Sequence, residues 1–272
     1  MKTSDFGMPF LLECNSPERC AELCAELKLD FVELNISFPA CGIDRLSAAS
    51  LNALRERYGL YFTLHMDEEA QPFAFNPMVR QAWLETFRRT FDLCAEAGIP
   101  VINMHMPRGV WITLPSGKVF MCEKYADEFH GMVDGFRAFC EERLAGSGTV
   151  VCVENTNGWL PFEREAIERL LPSPVIGLTL DIGHSEATGD ADIPFFEAHD
   201  AKLWHMHAHD AEGKRDHQPL GRGRVDLRQR LGWALRRNAR VLLEIKTVEA
   251  LRESVAVVGR YLPEDAAARF IV

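Results

Sequence analysis

The sequence predicts an α/β fold, a single-domain (β/α)8 barrel running over residues 1–272. Three observations carry that prediction: short runs that are almost continuously apolar, intervening segments with apolar residues at helical spacing, and alternation of the two along the chain. A continuous apolar run that breaks into Gly, Pro and polar residues fits a parallel strand buried on both faces, whereas a half-exposed antiparallel strand would alternate. Such strands need helices around them. About eight strand-helix units are counted, the number that closes a barrel of roughly 250 residues, close to the 272 present.

The elements follow in order. Residues 10–13 read as the first strand, leading to a helix opened by Ser16 and Pro17, a cap followed by a first-turn proline. Residues 31–34 form the second strand, with a loop and a helix near 47–58. The remaining six strands are 61–65, 101–105, 150–154, 177–181, 203–207 and 241–244. Helical spacing of apolar residues marks 77–97, 125–144, 163–171, 227–236 and 249–261. After the fourth strand, two β-prone runs in 110–121 flank Pro115, Ser116 and Gly117, which predicts a hairpin inserted in the loop.

Composition fits a compact protein, since 47% hydrophobic and 26% charged residues support a sizeable core. No stretch is long and apolar enough to span a membrane, and the polar start is unlike a secretory signal, so a cytoplasmic location is expected. The eight cysteines are scattered, and Cys94, Cys140 and Cys152 fall in apolar patterns, as reduced core residues would. Cys20 and Cys24, four apart, leave a metal pair open. No internal repeat or linker stands out, and 145–148 reads as a surface turn.

Six of the strands end in residues that bind metal well: His65, His105, Glu154, Asp181, His207 and Glu244. Barrels of this type place their chemistry at the C-terminal strand ends and the loops beyond. The net charge of −10 includes Asp67, Glu68 and Glu69 directly after His65. A buried cluster of carboxylates and imidazoles is costly without cations, so two or three divalent ions would offset it and stabilise the fold. Asp181 and His184 can face one cavity. His205, His207 and His209 alternate onto one strand face; His207, nearest the strand end, is the expected ligand, while His205 and His209 support the ligands from behind or pack. Segment 213–223 reads either as an exposed charged turn or as a tight loop that presents Arg215, Asp216 and His217 inward.

In this order and at this spacing, the motifs resemble the xylose-isomerase-like TIM barrels, a superfamily that includes sugar and sugar-phosphate isomerases, epimerases and the endonuclease IV-like AP endonuclease family 2. The carriers are His65 and His105, residues 153–156 around Glu154, 180–184 from Leu180 to His184, 207–210, 217–223, and 243–246 around Glu244. The isomerase branch implies one divalent ion, manganese, magnesium or a similar metal, held by Glu154, Asp181, His207 and Glu244. The endonuclease branch implies three zinc ions: His65, His105 and Glu154 on one; Glu154, Asp181, His207 and Glu244 on the second; His184, Asp216 and His217 on the third. Asp216 departs from that pattern, because it directly precedes His217 where the nuclease pattern leaves one residue between.

The loops separate the branches. A nuclease that grips duplex DNA needs cationic loops for phosphates and apolar wedges for the flipped nucleotide. Here Asp67, Glu68 and Glu69 would repel phosphates, and 35–43 has no Arg or Lys. Arg108, Lys118, Arg215, Arg222 and Arg224 supply enough charge for a small phosphate or sugar. The 110–121 hairpin can act as a lid, with Trp111 stacking on a sugar ring and Lys118 and Arg215 as further substrate contacts, or as a packing or dimer hairpin. The resemblance thus implies a divalent-metal-dependent aldose–ketose isomerase or epimerase of a small sugar, using one to three Zn, Mn or Mg ions. Glu154 and Glu244 would remove and return the proton, and His184 would orient substrate oxygens. The alternative is zinc-dependent hydrolysis of abasic DNA; a non-catalytic metal or sugar-binding barrel is a third class. A homo-oligomer is open. His130 and His199 read as surface or packing residues, Glu33 as a polar residue leaving a strand, and Trp83 with Phe87 as core.

Overall fold

A computed structural model describes residues 4–270. Eight parallel strands close a barrel in sequential order: β1 (Phe6–Pro9), β2 (Phe31–Asn35), β3 (Tyr61–His65), β4 (Val101–His105), β5 (Val150–Glu154), β6 (Ile176–Asp181), β7 (Leu203–Ala208) and β8 (Arg240–Leu243), with β8 pairing back to β1. Helices follow each strand on the outside, the longest being Pro77–Ala97 and Ala126–Leu144. Ser16 caps helix Pro17–Glu26 by accepting the Arg19 N–H at 3.3 Å, with Pro17 in the first turn, as expected.

The first strand lies four residues earlier than the sequence suggested, at Phe6–Pro9 in place of 10–13. Gly7 and Pro9 disguise it, because both are poor strand formers on propensity alone. Gly7 is required by packing: a Cβ there would stand 2.4 Å from the ring of Phe31 on the neighbouring strand. Glu244 falls just past β8, and its N–H donates to Ala208 O at 3.0 Å, so it begins the loop.

Between β6 and β7, where periodicity marked no helix, two short helices stand: Ile182–Ala187 and Ile193–Ala198. Asp181 starts the first by accepting the His184 N–H at 2.7 Å. Trp111–Leu114 and Gly117–Phe120 form the antiparallel hairpin after β4, with Trp111, Ile112 and Leu114 exposed. A second hairpin, Asp210–Glu212 with Arg215–Gln218, occupies the segment read as a polar loop. Its residues are too polar to signal strands. Buried Asp210 holds it instead, accepting the N–H groups of Ala211, Gly221 and Val225 at 2.9, 2.9 and 3.1 Å.

All eight cysteines are free and buried, and among the described residues no group with metal-ligand geometry includes one, so Cys20 and Cys24 belong to the core. Phe87 is fully buried with Trp83 packed beside the core cluster. Among the described residues, no helix is long and apolar enough to cross a membrane.

Candidate metal centre

Sequential parallel strands bring their C-terminal ends to one rim in matched register. His105 lies level with Glu154, and Asp181 with His207. Among the described residues, His65, His105 and Glu154 form one group whose ligand atoms lie within 4.8 Å of one another, and Glu154, Asp181, His207 and Glu244 form another. Glu154 joins the two. Its Oε2 stands 3.4 Å from His65 Nε2 and 3.6 Å from His105 Nε2, and its Oε1 stands 3.2 Å from His207 Nδ1. His207 Nδ1 is also 3.4 Å from Glu244 Oε2 and 4.0 Å from Asp181 Oδ2. His184 Nδ1 approaches Asp181 Oδ2 at 3.6 Å.

Neighbouring side chains aim these groups. His65 Nδ1 is 2.6 Å from Met66 O, which places the proton there and leaves Nε2 facing Glu154. Asn155 mimics a strand partner for Asp181: it accepts the Asp181 N–H at 2.8 Å and donates to Asp181 O at 3.0 Å. Asn103 donates to Glu154 Oε2. Glu33, treated from sequence as an ordinary strand-end residue, is buried beneath the rim and accepts from Thr63 Oγ1 at 2.8 Å and His205 Nε2 at 3.0 Å. Glu33 Oε1 is 3.1 Å from His207 Nε2, a contact bent away from hydrogen-bond alignment. The ion-pair contact still turns Nε2 towards Glu33 and leaves Nδ1 facing Glu154 and Glu244.

The electrostatics follow from burial in a mixed-charge cluster. Burial alone would raise the Glu154 and Glu244 carboxyls, but His207 and its neighbours outweigh it and hold both well below the usual range. Burial disfavours charge on His207, yet Glu154, Glu33 and Glu244 raise it well above an ordinary histidine. Burial pushes His105 and His217 down, favouring the neutral imidazoles that bind metals.

The donor set fits a divalent cation. His184 Nδ1, His207 Nδ1 and Glu244 Oε2 are buried at the rim with no hydrogen-bond partner, and such orphaned groups each cost roughly 1–3 kcal/mol. A cation satisfies nitrogen lone pairs and carboxylate oxygens together, and at His207 it would take the place of the proton that the surrounding carboxylates favour.

The third group joins His184 and His217 with His209, while Asp216 stays outside it. Asp216 is 46% exposed, with Oδ2 3.9 Å from His184 Nε2. A cavity of about 860 Å³ opens above the ring, walled in part by Asn35, Glu68, Glu69, Thr156, Lys214 and Lys246. Its wall also includes Asp216 and His217 but not Trp111, Lys118 or Arg215. The Lys118 ammonium lies 4.7 Å from the Trp111 ring centre, so these two residues meet each other on the outlying hairpin. Lys246 went unremarked in the sequence beyond its place after Glu244; its Nζ lies 2.8 Å from Glu244 Oε1 at the cavity wall.

Solved structures superpose over almost the whole chain. A D-tagatose 3-epimerase-like protein aligns with a TM-score of 0.77 at 20% identity, covering 98% of this chain and 100% of its own. The 3-keto-D-glucoside 4-epimerase YcjR from E. coli aligns at 0.72 and 18% identity, over 94% and 98% of the two chains. TTHB071 protein from Thermus thermophilus, soaked with ZnCl2, aligns at 0.69 and 21% identity, over 96% and 98%. At these identities the likeness carries the fold. No curated protein sequence matches at a significant level. The family model described as Xylose isomerase-like TIM barrel matches residues 21–260, and the chain belongs to that family.

Proposed function

We propose that this chain is a divalent-metal-dependent sugar isomerase or epimerase that moves a proton beside a carbonyl. One observation carries the reading: Glu154 and Glu244 converge on His207 Nδ1, at 3.2 and 3.4 Å, from different strands at the floor of a sugar-sized cavity. The epimerases among the superposed structures support the same class. A divalent ion held by Glu154, Asp181, His207 and Glu244 would supply charge stabilisation for the oxygens of the enediolate.

The protein's own groups do the rest. Each carboxylate can remove a proton only through an oxygen left free by ligation. With the other oxygen on the ion, Glu154 would work through Oε2, beside Asn103 and the two histidines, and Glu244 through Oε1, which meets Lys246 at the cavity wall. His184 and Lys246 line the cavity and would meet substrate oxygens, and Thr156 and Asn157 offer neutral hydrogen-bond partners. His65 and His105 beside Glu154 leave room for a second ion.

The test is solvent exchange in deuterium oxide with a panel of ketohexoses and 3-keto-glycosides, after loading with manganese, magnesium, zinc or cobalt. Deuterium is expected at the carbon next to the carbonyl, and its absence across the panel would refute the reading. Glu68, Glu69 and Asp216 on the cavity wall oppose a DNA backbone there. Chelator-sensitive cleavage of an abasic duplex would reverse that ranking.

A further inference from the structure

We infer that His209 is a positioning residue that ties the second hairpin to Asp181. The inference rests on the proposed function only in taking Asp181 as a metal ligand.

His209 is fully buried, and both ring nitrogens are in use. Nε2 lies 3.0 Å from Asp181 Oδ1 and 3.1 Å from Oδ2, while Nδ1 accepts the His217 N–H at 2.8 Å. Asp210 O is a longer neighbour of Nδ1 at 3.3 Å, but the His217 amide needs the Nδ1 lone pair, and the form that serves both Asp181 and that amide carries its proton on Nε2. His209 thus converges with His184 and His217 without a nitrogen to offer a metal.

The surroundings hold the ring in place. A Cβ on Gly183 would stand 2.0 Å from it, so the glycine exists to admit the imidazole. The His217 ring lies against it, centroids 4.1 Å apart, and His217 itself adopts a left-handed backbone with φ 49°. That costly conformation sets His217 Nδ1 3.7 Å from Glu244 Oε2. One imidazole thus links the Asp181 carboxylate, which also accepts the His184 N–H at 2.7 Å, to the His217 backbone.

Two variants divide the two contacts. In His209→Asn, the side-chain oxygen can replace Nδ1 as acceptor, but nothing reaches Asp181; in His209→Gln, the amide nitrogen can replace Nε2 as donor, but the hairpin loses its acceptor. Two readouts on the full chain are needed. In metal-free protein, hydrogen exchange of the His217 amide is expected to stay near wild type in His209→Asn and to speed up on the order of five-fold in His209→Gln, one hydrogen bond's worth. Cobalt titration followed by visible absorption is expected to show affinity about 10–100-fold weaker in His209→Asn and nearly intact in His209→Gln.

Equal behaviour of the variants in both readouts would overturn the inference. So would a changed cobalt spectrum in both, which would make His209 a ligand. If wild type binds no cobalt, the metal reading falls, while the exchange measurement still decides the tether.

Discussion

Replacing Glu33 by Gln tests whether the buried layer beneath the rim holds His207. The carboxylate accepts from Thr63 at 2.8 Å and His205 at 3.0 Å, and contacts His207 at 3.1 Å. Burial would raise this carboxyl, but His207 and His205 outweigh it and hold it low, so the native group is a carboxylate facing two imidazoles. Gln keeps the shape and one oxygen, but its NH2 must point at one of those donors. Hydrogen bonds to a charged group contribute roughly 1.5–3 kcal/mol each, and Gln preserves a neutral version of one contact, so the net loss is about 3 kcal/mol. At about 2.1 cal/mol/K per residue, the unfolding entropy of 272 residues is roughly 570 cal/mol/K, and Tm should fall by about 5 °C. A total stability of about 5–15 kcal/mol leaves the variant folded. With His207 no longer held from below, metal affinity should drop about 10–100-fold. Calorimetry of metal-free protein reads the first number and cobalt titration the second. A Tm within a degree of wild type together with unchanged cobalt binding would refute the argument.

Glu154→Gln and Glu244→Gln should each slow turnover by about 10²–10⁴ with circular dichroism unchanged, and full solvent-exchange activity in either would remove that residue from the proton-transfer role. Gly7→Ala places a methyl 2.4 Å from the Phe31 ring, and overpacking of this kind costs about 1–3 kcal/mol, so Tm should drop by several degrees; an unchanged Tm would show that Phe31 can move aside. In metal-free protein the depressed carboxyls of Glu33, Glu154 and Glu244 contribute stability that is complete above their unfolded value of about 4.3 and is lost as pH falls below it. His207, raised when folded, contributes stability that is complete below about pH 6.5 and is lost as pH rises through its folded value. Melting in chelator across pH should show both declines, and stability that keeps climbing above pH 7 would contradict the second.

Much of the fold was legible because it rests on local pattern. Apolar runs separated by helical spacing announce parallel strands, and sequential order sends every strand end to one face, so His65, His105, Glu154, Asp181, His207 and Glu244 share a rim for reasons the sequence already contains. The first strand, expected at 10–13, lies at Phe6–Pro9 because Gly7 answers to the Phe31 ring on another strand, a demand that propensity does not express. The second hairpin carries no strand signal because three backbone N–H groups on one buried aspartate, Asp210, hold it in place of an apolar face.

Sequence by itself determined the barrel, the ligand-type residues at its strand ends and the acidic character beside His65. Only the tertiary structure decided how those residues are used. Glu33 reaches His205 across 172 positions of chain, and barrel closure alone brings β2 and β7 to face each other. The same closure gives His207 a carboxylate on either side, spends both nitrogens of His209 on Asp181 and the His217 amide, and leaves Asp216 at the exposed edge. Residue type sets which atoms can bind a cation, but direction and distance come from register across strands, which no local segment encodes.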